Sequence, residues 1–129
     1  MIGSTRNLTV YARAEPTDLR KGYDGLFALV RDSLKEDPLS GHLFLFVARN
    51  CKRAKVLLWD GTGLCIYAKR LEQSRFVAPW ERTDDKALML TVSELALFLE
   101  GSKILFGKRK VSPDAFLPAT IRSKRIELG

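Results

Sequence analysis

The stretch AKVLLWDGTGLCIYAKR, residues 54–70, decides the fold of this chain because it contains two strands and the turn between them. Apolar runs at 54–59 and 64–69 flank Asp-Gly-Thr-Gly, and Asp-Gly between such runs is a strong signal for a β-hairpin. A two-residue turn at Gly61 and Thr62 sets the register. It pairs Trp59 with Leu64, Lys55 with Ala68 and Arg53 with Arg70.

The same register places two like charges opposite each other. Arg53 and Arg70 meet at the open end of the hairpin, and like charges directly across a ladder destabilise it. We therefore expect an anion or an intervening carboxylate at that end.

Other segments add strands to this hairpin. HLFLFVA at 42–48 is an apolar run without polar alternation, which indicates a strand covered on both faces. Segments 8–12 and 88–90 are weaker candidates. Because most strands follow a single helix, we expect an α+β fold with an antiparallel sheet of about four strands.

The segment before residue 42 carries a helical pattern. Its apolar residues recur on one helical face, at Leu19, Tyr23, Leu26, Phe27, Val30 and Leu34. Thr17 or Asp18 is placed to cap the helix N-terminus after Pro16, and Pro38 ends the helical segment. We predict one long helix over 18–35, packed on the sheet.

Two features of this segment oppose a helix. Arg20 and Lys21 place positive charge at the N-terminus of the helix dipole, although Asp24 is spaced to pair with both. Gly22 and Gly25 each cost about 0.5–1 kcal/mol relative to alanine. Being three residues apart, the glycines form a bare helix face that leaves room for a strand, a second chain or a phosphate backbone.

The C-terminal part begins with a short helix. TVSE at 91–94 is a capping box, and Gly101 suits the position just after a helix that runs to about Glu100. The sequence beyond it has little periodicity and many charges, which is typical of an extended tail. We predict one domain, residues 1–101, and a basic C-terminal extension, residues 102–129.

The positive charge of the chain is unevenly distributed. Of a net charge of +7 over 129 residues, segment 49–75 has seven basic and two acidic residues, and segment 103–125 has seven basic and one acidic. Concentrated positive charge favours a polyanionic partner. No run of about 18 apolar residues and no secretory leader pattern occur, so we expect a cytoplasmic protein without a membrane partner.

The residue types do not indicate an enzyme. His42 stands alone and is expected at a strand end, Cys51 and Cys65 are expected as reduced thiols, and no nucleotide-binding or metal-ligand motif occurs. The carboxylates that a two-metal nuclease would need have simpler structural roles in Asp18, Asp24 and Asp60. We expect no catalytic residues, no metal and no cofactor.

Two binding functions remain open. The candidates for phosphate contacts with DNA are Arg20, Lys21, Arg49, Lys52, Arg53, Lys55, Lys69, Arg70, Arg75, Lys108, Arg109 and Lys110. Tyr67 lies among them but is weak evidence for base stacking. The alternative is a protein-bridging module that uses an apolar patch, either Trp59 and Leu64 at the hairpin tip or the short helix with Leu95, Phe98 and Leu99.

Several segments together resemble a known family. They are DLRKGYDGL at 18–26, GHLFLFVAR at 41–49, AKVLLWDG at 54–61, GLCIYAKRLEQSRF at 63–76 and a leucine-rich helix ending in LEG at 99–101. Over roughly residues 8–101 the chain resembles the TnpB-type small accessory proteins of the sixty-six group of bacterial insertion sequences. The resemblance implies a non-catalytic helper in DNA transposition, with the element-encoded transposase as a partner. Lys52 departs from the family pattern, which has an aspartate there.

Overall fold

The structure, a computed structural model, describes residues 7–101. In chain order the elements are strand β1 (Val10–Arg13), helix α1 (Tyr23–Ala28), a π-helical turn (Leu29–Ser33), strands β2 (Leu43–Val47), β3 (Arg53–Trp59) and β4 (Leu64–Arg70), a 3-10 turn (Pro79–Glu81), strand β5 (Ala87–Leu90) and helix α2 (Val92–Leu99). The α+β class is therefore confirmed.

All five strands form one sheet in the order β4-β3-β2-β1-β5. Strands β1 and β2 pair in parallel, and the other neighbours pair antiparallel. The expected antiparallel sheet of about four strands is therefore wrong. The physical reason is that the chain crosses over through α1 between β1 and β2, and such a connection returns the chain to the end of the sheet where β1 began, so that β2 runs parallel to it.

The hairpin has the register that its turn predicts. Seven residue pairs align without a bulge, including Arg53 with Arg70, Lys55 with Ala68 and Trp59 with Leu64. Gly61 has a φ of 105°, and such a φ is unfavourable for residues with a Cβ, so the glycine is needed at this turn position.

Asp60 organises the turn through its carboxylate. Its Oδ1 accepts hydrogen bonds from the backbone nitrogens of Thr62 (2.9 Å) and Gly63 (3.0 Å), and its Oδ2 accepts one from the Cys65 thiol at 3.4 Å. The backbone donors stabilise the ionised carboxylate, which lowers the pKa of Asp60 to about 2. The same carboxylate raises the pKa of the Cys65 thiol.

This shift predicts a pH dependence. An unfolded aspartate has a pKa of about 3.9, so the stabilisation from ionised Asp60 is fully present above that value and is lost as the pH falls through about 2. We expect the side-chain carboxyl carbon of Asp60 to titrate near pH 2 in an NMR series, and the urea midpoints of wild type and Asp60→Asn to converge as the pH falls below about 4. A titration midpoint at the unfolded value contradicts the prediction.

The long helix predicted over 18–35 is wrong. The α-helix begins only at Tyr23, with Gly22 at its N-cap, and it continues as the π-helical turn to Ser33. Thr17 and Asp18 do not cap it. Asp18 instead accepts a hydrogen bond from the backbone nitrogen of Arg20 at 3.0 Å, which holds the preceding residues in a turn.

The charges and glycines that opposed a helix are explained by this later start. Arg20 and Lys21 precede the helix, so they do not sit within its first turn. A Cβ on Gly22 would meet nothing within 4 Å, and one on Gly25 would meet the Lys21 side chain at 2.9 Å. The space beside Gly22 is therefore open, and the nearest atoms beside Gly25 belong to the Lys21 side chain rather than to a packed backbone.

The core has two parts, one on each face of the sheet. The α1 face is the sheet face on which Leu26, Val30 and Leu34 pack against Phe44, Phe46 and Leu57. The α2 face is the opposite one, where Leu95 and Phe98 pack with Leu45, Val47, Val56 and other residues. Central strand β2 is buried over Phe44–Val47, which confirms a strand covered on both faces. Tyr23, expected in the core, is 52% exposed.

Helix α2 has the predicted ends. The Thr91 hydroxyl accepts a hydrogen bond from the backbone nitrogen of Glu94 at 3.0 Å, and the Glu94 carboxylate accepts one from the backbone nitrogen of Thr91 at 2.8 Å. Gly101 follows the helix with a φ of 87°. Both capping predictions are confirmed because they depend only on local sequence.

Candidate nucleic-acid interface

One end of the sheet collects all the candidate cations that lie in residues 7–101. We call it the basic end, and it consists of Arg20, Lys21, Arg49, Lys52, Arg53, Lys55, Lys69, Arg70 and Arg75. It is formed where β2 and β4 end and β3 begins. The parallel pairing of β1 with β2 brings the end of β1, and with it the loop to Lys21, to the same end.

Backbone hydrogen bonds hold the loops of the basic end together. The backbone nitrogen of Thr17 donates to the Val47 carbonyl at 2.9 Å, which fixes the loop after β1 beside the end of β2. The nitrogen of Leu71 donates to the Lys52 carbonyl at 2.8 Å. The nitrogen of Phe76 donates to the Cys51 carbonyl at 2.6 Å, which places Arg75 near the loop between β2 and β3.

A groove of about 410 Å³ opens between the hairpin end and the loop after β1. Its lining residues are Leu19, Arg53, Ala54, Lys55, Ala68, Lys69, Arg70 and Glu72. Because side chains alternate along a strand, Arg53, Lys55 and Arg70 lie on the α1 face and Lys69 lies on the α2 face. The groove is therefore lined by positive side chains from both faces of the sheet at the basic end.

A carboxylate pairs with one of the two opposed arginines, but no contact places it between them. Glu72 Oε2 lies 3.1 Å from Arg70 Nε, in an ion pair that is largely exposed on both sides. Within residues 7–101, no hydrogen bond or ion pair engages the side chain of Arg53. Glu72 therefore compensates one of the two opposed guanidinium groups.

Two other candidate cations are also engaged within the chain. Arg20 Nη2 lies 2.7 Å from Asp18 Oδ2, and this pairing lowers the pKa of the Asp18 carboxyl. The expected pairing of Asp24 with Arg20 and Lys21 does not form. Lys55 Nζ donates to the Lys21 backbone carbonyl at 3.1 Å, which ties β3 to the loop before α1.

The remaining cations of the basic end are available to a ligand. In the described part of the chain, no hydrogen bond or ion pair engages the side chains of Lys21, Arg49, Lys52, Arg53, Lys69 and Arg75. Lys108, Arg109 and Lys110 lie outside the described residues. The basic end therefore offers several unpaired positive groups close together, as phosphate contacts require.

Tyr67 does not join this groove. It pairs with Val56, so its side chain is on the α2 face, and it is 51% exposed. There it borders a separate apolar groove of about 220 Å³ with Leu58 and Leu99. The structure therefore separates Tyr67 from most of the basic end.

The apolar patches named for a bridging function are largely internal. Leu64 packs against the core of the α1 face, and Trp59 is half-buried. Leu95 and Phe98 are buried in the core of the α2 face, and Leu99 packs against it. The exposed large apolar side chains of α2 itself are instead Val92 and Leu97.

The groups considered for catalysis do not converge. Asp18 lies at the basic end and Asp60 at the hairpin tip, so a seven-residue strand separates them by roughly 20 Å. Residues 7–101 contain no group of three or more histidine, cysteine, aspartate or glutamate side chains that could hold a metal ion. His42 precedes β2, as predicted, and its Nδ1 accepts a hydrogen bond from the Thr9 nitrogen. No disulfide joins Cys51 and Cys65 within the same range.

Sequence reasoning missed Arg13, which fixes the loop that positions Arg20 and Lys21. Its guanidinium donates hydrogen bonds to Ser33, Pro16, Thr17 and Glu15, and its side chain is only 12% exposed. The available signal is weak, because an arginine at the end of a short strand is usually solvated. Only the fold brings the π-helical turn beside it.

The comparisons with known proteins identify the class. A family model described as IS66 Orf2-like protein matches residues 8–108. It represents a class of small accessory proteins of insertion sequences. The chain belongs to the IS66 Orf2-like family, also called TnpB_IS66. This confirms the resemblance seen in the sequence, and the match extends past residue 101 to Lys108.

Two relatives from Sinorhizobium fredii support this assignment. The protein named "Uncharacterized protein y4jC" is 37% identical over 110 residues, covering 85% of this chain and 92% of its own length. The protein named "Uncharacterized protein y4hO" is 36% identical over 101 residues, covering 78% of this chain and 86% of its own. No solved structure matches the chain. Neither helix of residues 7–101 is long and apolar enough to cross a membrane.

Proposed function

We propose that the chain is a non-catalytic accessory protein in DNA transposition that contacts DNA phosphates through the basic end. The observation that carries the proposal is the cluster of exposed, unpaired cations at the basic end, including Arg49, Lys52 and Arg53. Lysine and arginine that contact phosphates position a protein on DNA without reading its sequence. Membership in the IS66 Orf2-like family supports the transposition context.

The chemistry of the groove suits a phosphate backbone. Arg53 and Arg70 lie directly opposite each other, so an anion between them would relieve repulsion that Glu72 only partly offsets. The guanidinium of Arg53 can bind a phosphate through two parallel hydrogen bonds. Residues 102–129, with Lys108, Arg109 and Lys110, form in this proposal a second basic segment that adds phosphate contacts.

The test is fluorescence anisotropy with a labelled duplex copy of an element end and a scrambled duplex, across a salt series. If about five phosphates are neutralised, log affinity falls with log salt with a slope of about −4.5. The double variant Arg53→Gln/Lys69→Gln should make that slope shallower by about two, because each lost phosphate contact contributes about 0.9. Glu72→Gln should tighten binding, because it releases Arg70.

The matched control is Arg31→Gln/Lys35→Gln. It removes the same charge in and just after the π-helical turn, at two exposed residues that are not among the cations of the basic end. We expect its salt slope to equal that of the wild type, within about 0.5. A slope near zero for the wild type, or equal losses in the two double variants, contradicts phosphate contact through the basic end.

The second candidate is a bridging module that binds the element-encoded transposase without touching DNA. It is supported by Val92 and Leu97, two large apolar side chains that are exposed on α2. Its test is co-purification with the transposase in high salt after nuclease treatment. Recovery of the complex, which Leu97→Ser should abolish, favours bridging, and failure to recover it counts against bridging.

A further inference from the structure

Within residues 7–101, no strand pairs with the outer edge of β4, and this free edge differs from the other edge of the sheet. Strand β4 has seven residues in unbroken register with β3, without proline and without a bulge. The opposite edge strand, β5, has only four residues. Proteins protect sheet edges with short strands, prolines, bulges or charges, because an open edge is a template for another strand. Of these four kinds of protection, β4 has only charged side chains, and they are confined to Lys69 and Arg70 at one end of the strand.

The hydrogen-bonding pattern shows which residues of β4 face this edge. The nitrogen of Asp60 donates to the Gly63 carbonyl, and the nitrogen of Leu71 donates to the Lys52 carbonyl. In an antiparallel ladder, hydrogen-bonded and non-hydrogen-bonded pairs alternate. Between those two bonds, the residues of β4 that bond to β3 are Cys65, Tyr67 and Lys69. The residues whose backbone groups point to the free edge are therefore Leu64, Ile66, Ala68 and Arg70.

We propose that β4 pairs antiparallel with β4 of a second copy of this chain, with Tyr67 on the two-fold axis. This register pairs all seven residues of the strand, and Ile66 of each copy then exchanges hydrogen bonds with Ala68 of the other. Every backbone group that faces the edge becomes paired.

Side chains across the new ladder are compatible in this register. Arg70 faces Leu64 of the other copy and Lys69 faces Cys65, so no like charges are directly opposed. Tyr67, which is 51% exposed, faces Tyr67 of the other copy in a non-hydrogen-bonded pair, where side chains lie closest. Aromatic pairs at such positions stabilise antiparallel sheets.

The pairing determines how the basic ends of the two copies lie relative to each other. A two-fold axis at Tyr67 runs perpendicular to the sheet, so both copies present their α1 faces on the same side. The two Arg70 residues then lie at opposite ends of the shared ladder, about 20 Å apart along the strand direction. The dimer does not depend on DNA, so its test is separate from that of the proposed function.

The test is sedimentation velocity on the full chain without DNA, from about 1 to about 100 μM. We expect the mass to rise with concentration to twice the 14.6 kDa of one chain. Ala68→Pro should remain monomeric, because it removes an edge-facing N–H without removing a bond to β3. Ala68→Ser keeps that N–H and should dimerise like the wild type.

Tyr67→Glu provides a second variant that leaves the backbone intact. It places two carboxylates opposite each other, so we expect the dimer dissociation constant to rise at least about tenfold. Circular dichroism should show wild-type secondary structure, because the side chain is exposed.

A cross-linking experiment tests the register. In a background with Cys51→Ser and Cys65→Ser, Tyr67→Cys should form a covalent dimer on mild oxidation, whereas Lys69→Cys should not, because it faces position 65 of the other copy. A wild type that stays monomeric overturns the proposal, as does a dimer that survives both Ala68→Pro and Tyr67→Glu. A monomer whose Ile66 and Ala68 amides resist hydrogen exchange also overturns it, because another segment of the same chain then occupies the edge.

Discussion

Replacement of Phe98 by alanine is expected to lower the free energy of unfolding by about 3–5 kcal/mol. The side chain is 2% exposed, and its ring stacks on Phe76 with centroids 5.0 Å apart and an interplanar angle of 7°. Truncation loses the burial of the ring and leaves a cavity that a sheet cannot readily close. Domains of this size are stable by only about 5–15 kcal/mol, so the variant should unfold at a much lower urea concentration.

Urea denaturation followed by circular dichroism measures this effect. The control is Leu97→Ala on the same helix, which truncates an exposed side chain and should change stability by less than about 0.5 kcal/mol. A double-mutant cycle of Phe98 and Phe76, each replaced by leucine, should return a coupling of about 0.5–1.5 kcal/mol for the ring pair. If Phe98→Ala and Leu97→Ala have the same midpoint, α2 does not contribute to the core as described.

The parts of the fold that were predictable are those with local causes. The hairpin register follows from Gly61 and Thr62 alone, because a two-residue turn fixes every pair behind it. The capping box of Thr91 and Glu94 likewise needs only four residues. In both cases the sequence signal and the structure it specifies involve the same few residues.

The parts that were not predictable depend on contacts between distant residues. The parallel pairing of β1 with β2 joins residues about 33 positions apart, such as Val10 and Leu43, and neither strand carries a signal for its partner's direction. The predicted helix starts too early because Leu19 continues the helical spacing although it precedes α1. The turn at Asp18 depends on its hydrogen bond to Arg20, which periodicity does not register.

The candidate site was predictable in its location and not in its internal pairing. The hairpin register alone brings Arg53 and Arg70 together, and it indicates that an anion or a carboxylate is needed. That Glu72 pairs with Arg70 and not with Arg53 depends on the path of the chain after β4. Arg20 and Lys21 lie at the basic end because β1 pairs in parallel with β2. The predicted antiparallel sheet does not contain this pairing, so it gives no reason for their position.

Replacement of Arg13 by alanine is expected to lower the free energy of unfolding by about 2–3 kcal/mol, because charged hydrogen bonds to buried Thr17 and half-buried Ser33 are lost. Arg13 Nη1 donates to the hydroxyl of buried Thr17 at 3.1 Å, Nε donates to Ser33 Oγ at 3.2 Å, and Nη2 donates to Glu15 Oε1 at 3.0 Å. The bond to Ser33 connects the end of β1 with the π-helical turn, and the bonds to Thr17 and Glu15 hold the loop after β1. With the bond from Nη1 to the Pro16 carbonyl, the replacement removes four hydrogen bonds at once.

Arg13→Lys separates geometry from charge. Lysine keeps the positive charge but lacks the planar fork that reaches several acceptors, so the variant should recover less than half of the lost stability. The control is Arg31→Ala, whose ion pair with Asp32 is exposed on both sides, and its urea midpoint should match that of the wild type. If Arg13→Lys is as stable as the wild type, charge alone suffices and the directional contacts to Ser33 and Thr17 are not what stabilises the loop. If Arg13→Ala is as stable as Arg31→Ala, then Arg13 does not anchor the loop that carries Arg20 and Lys21 to the basic end.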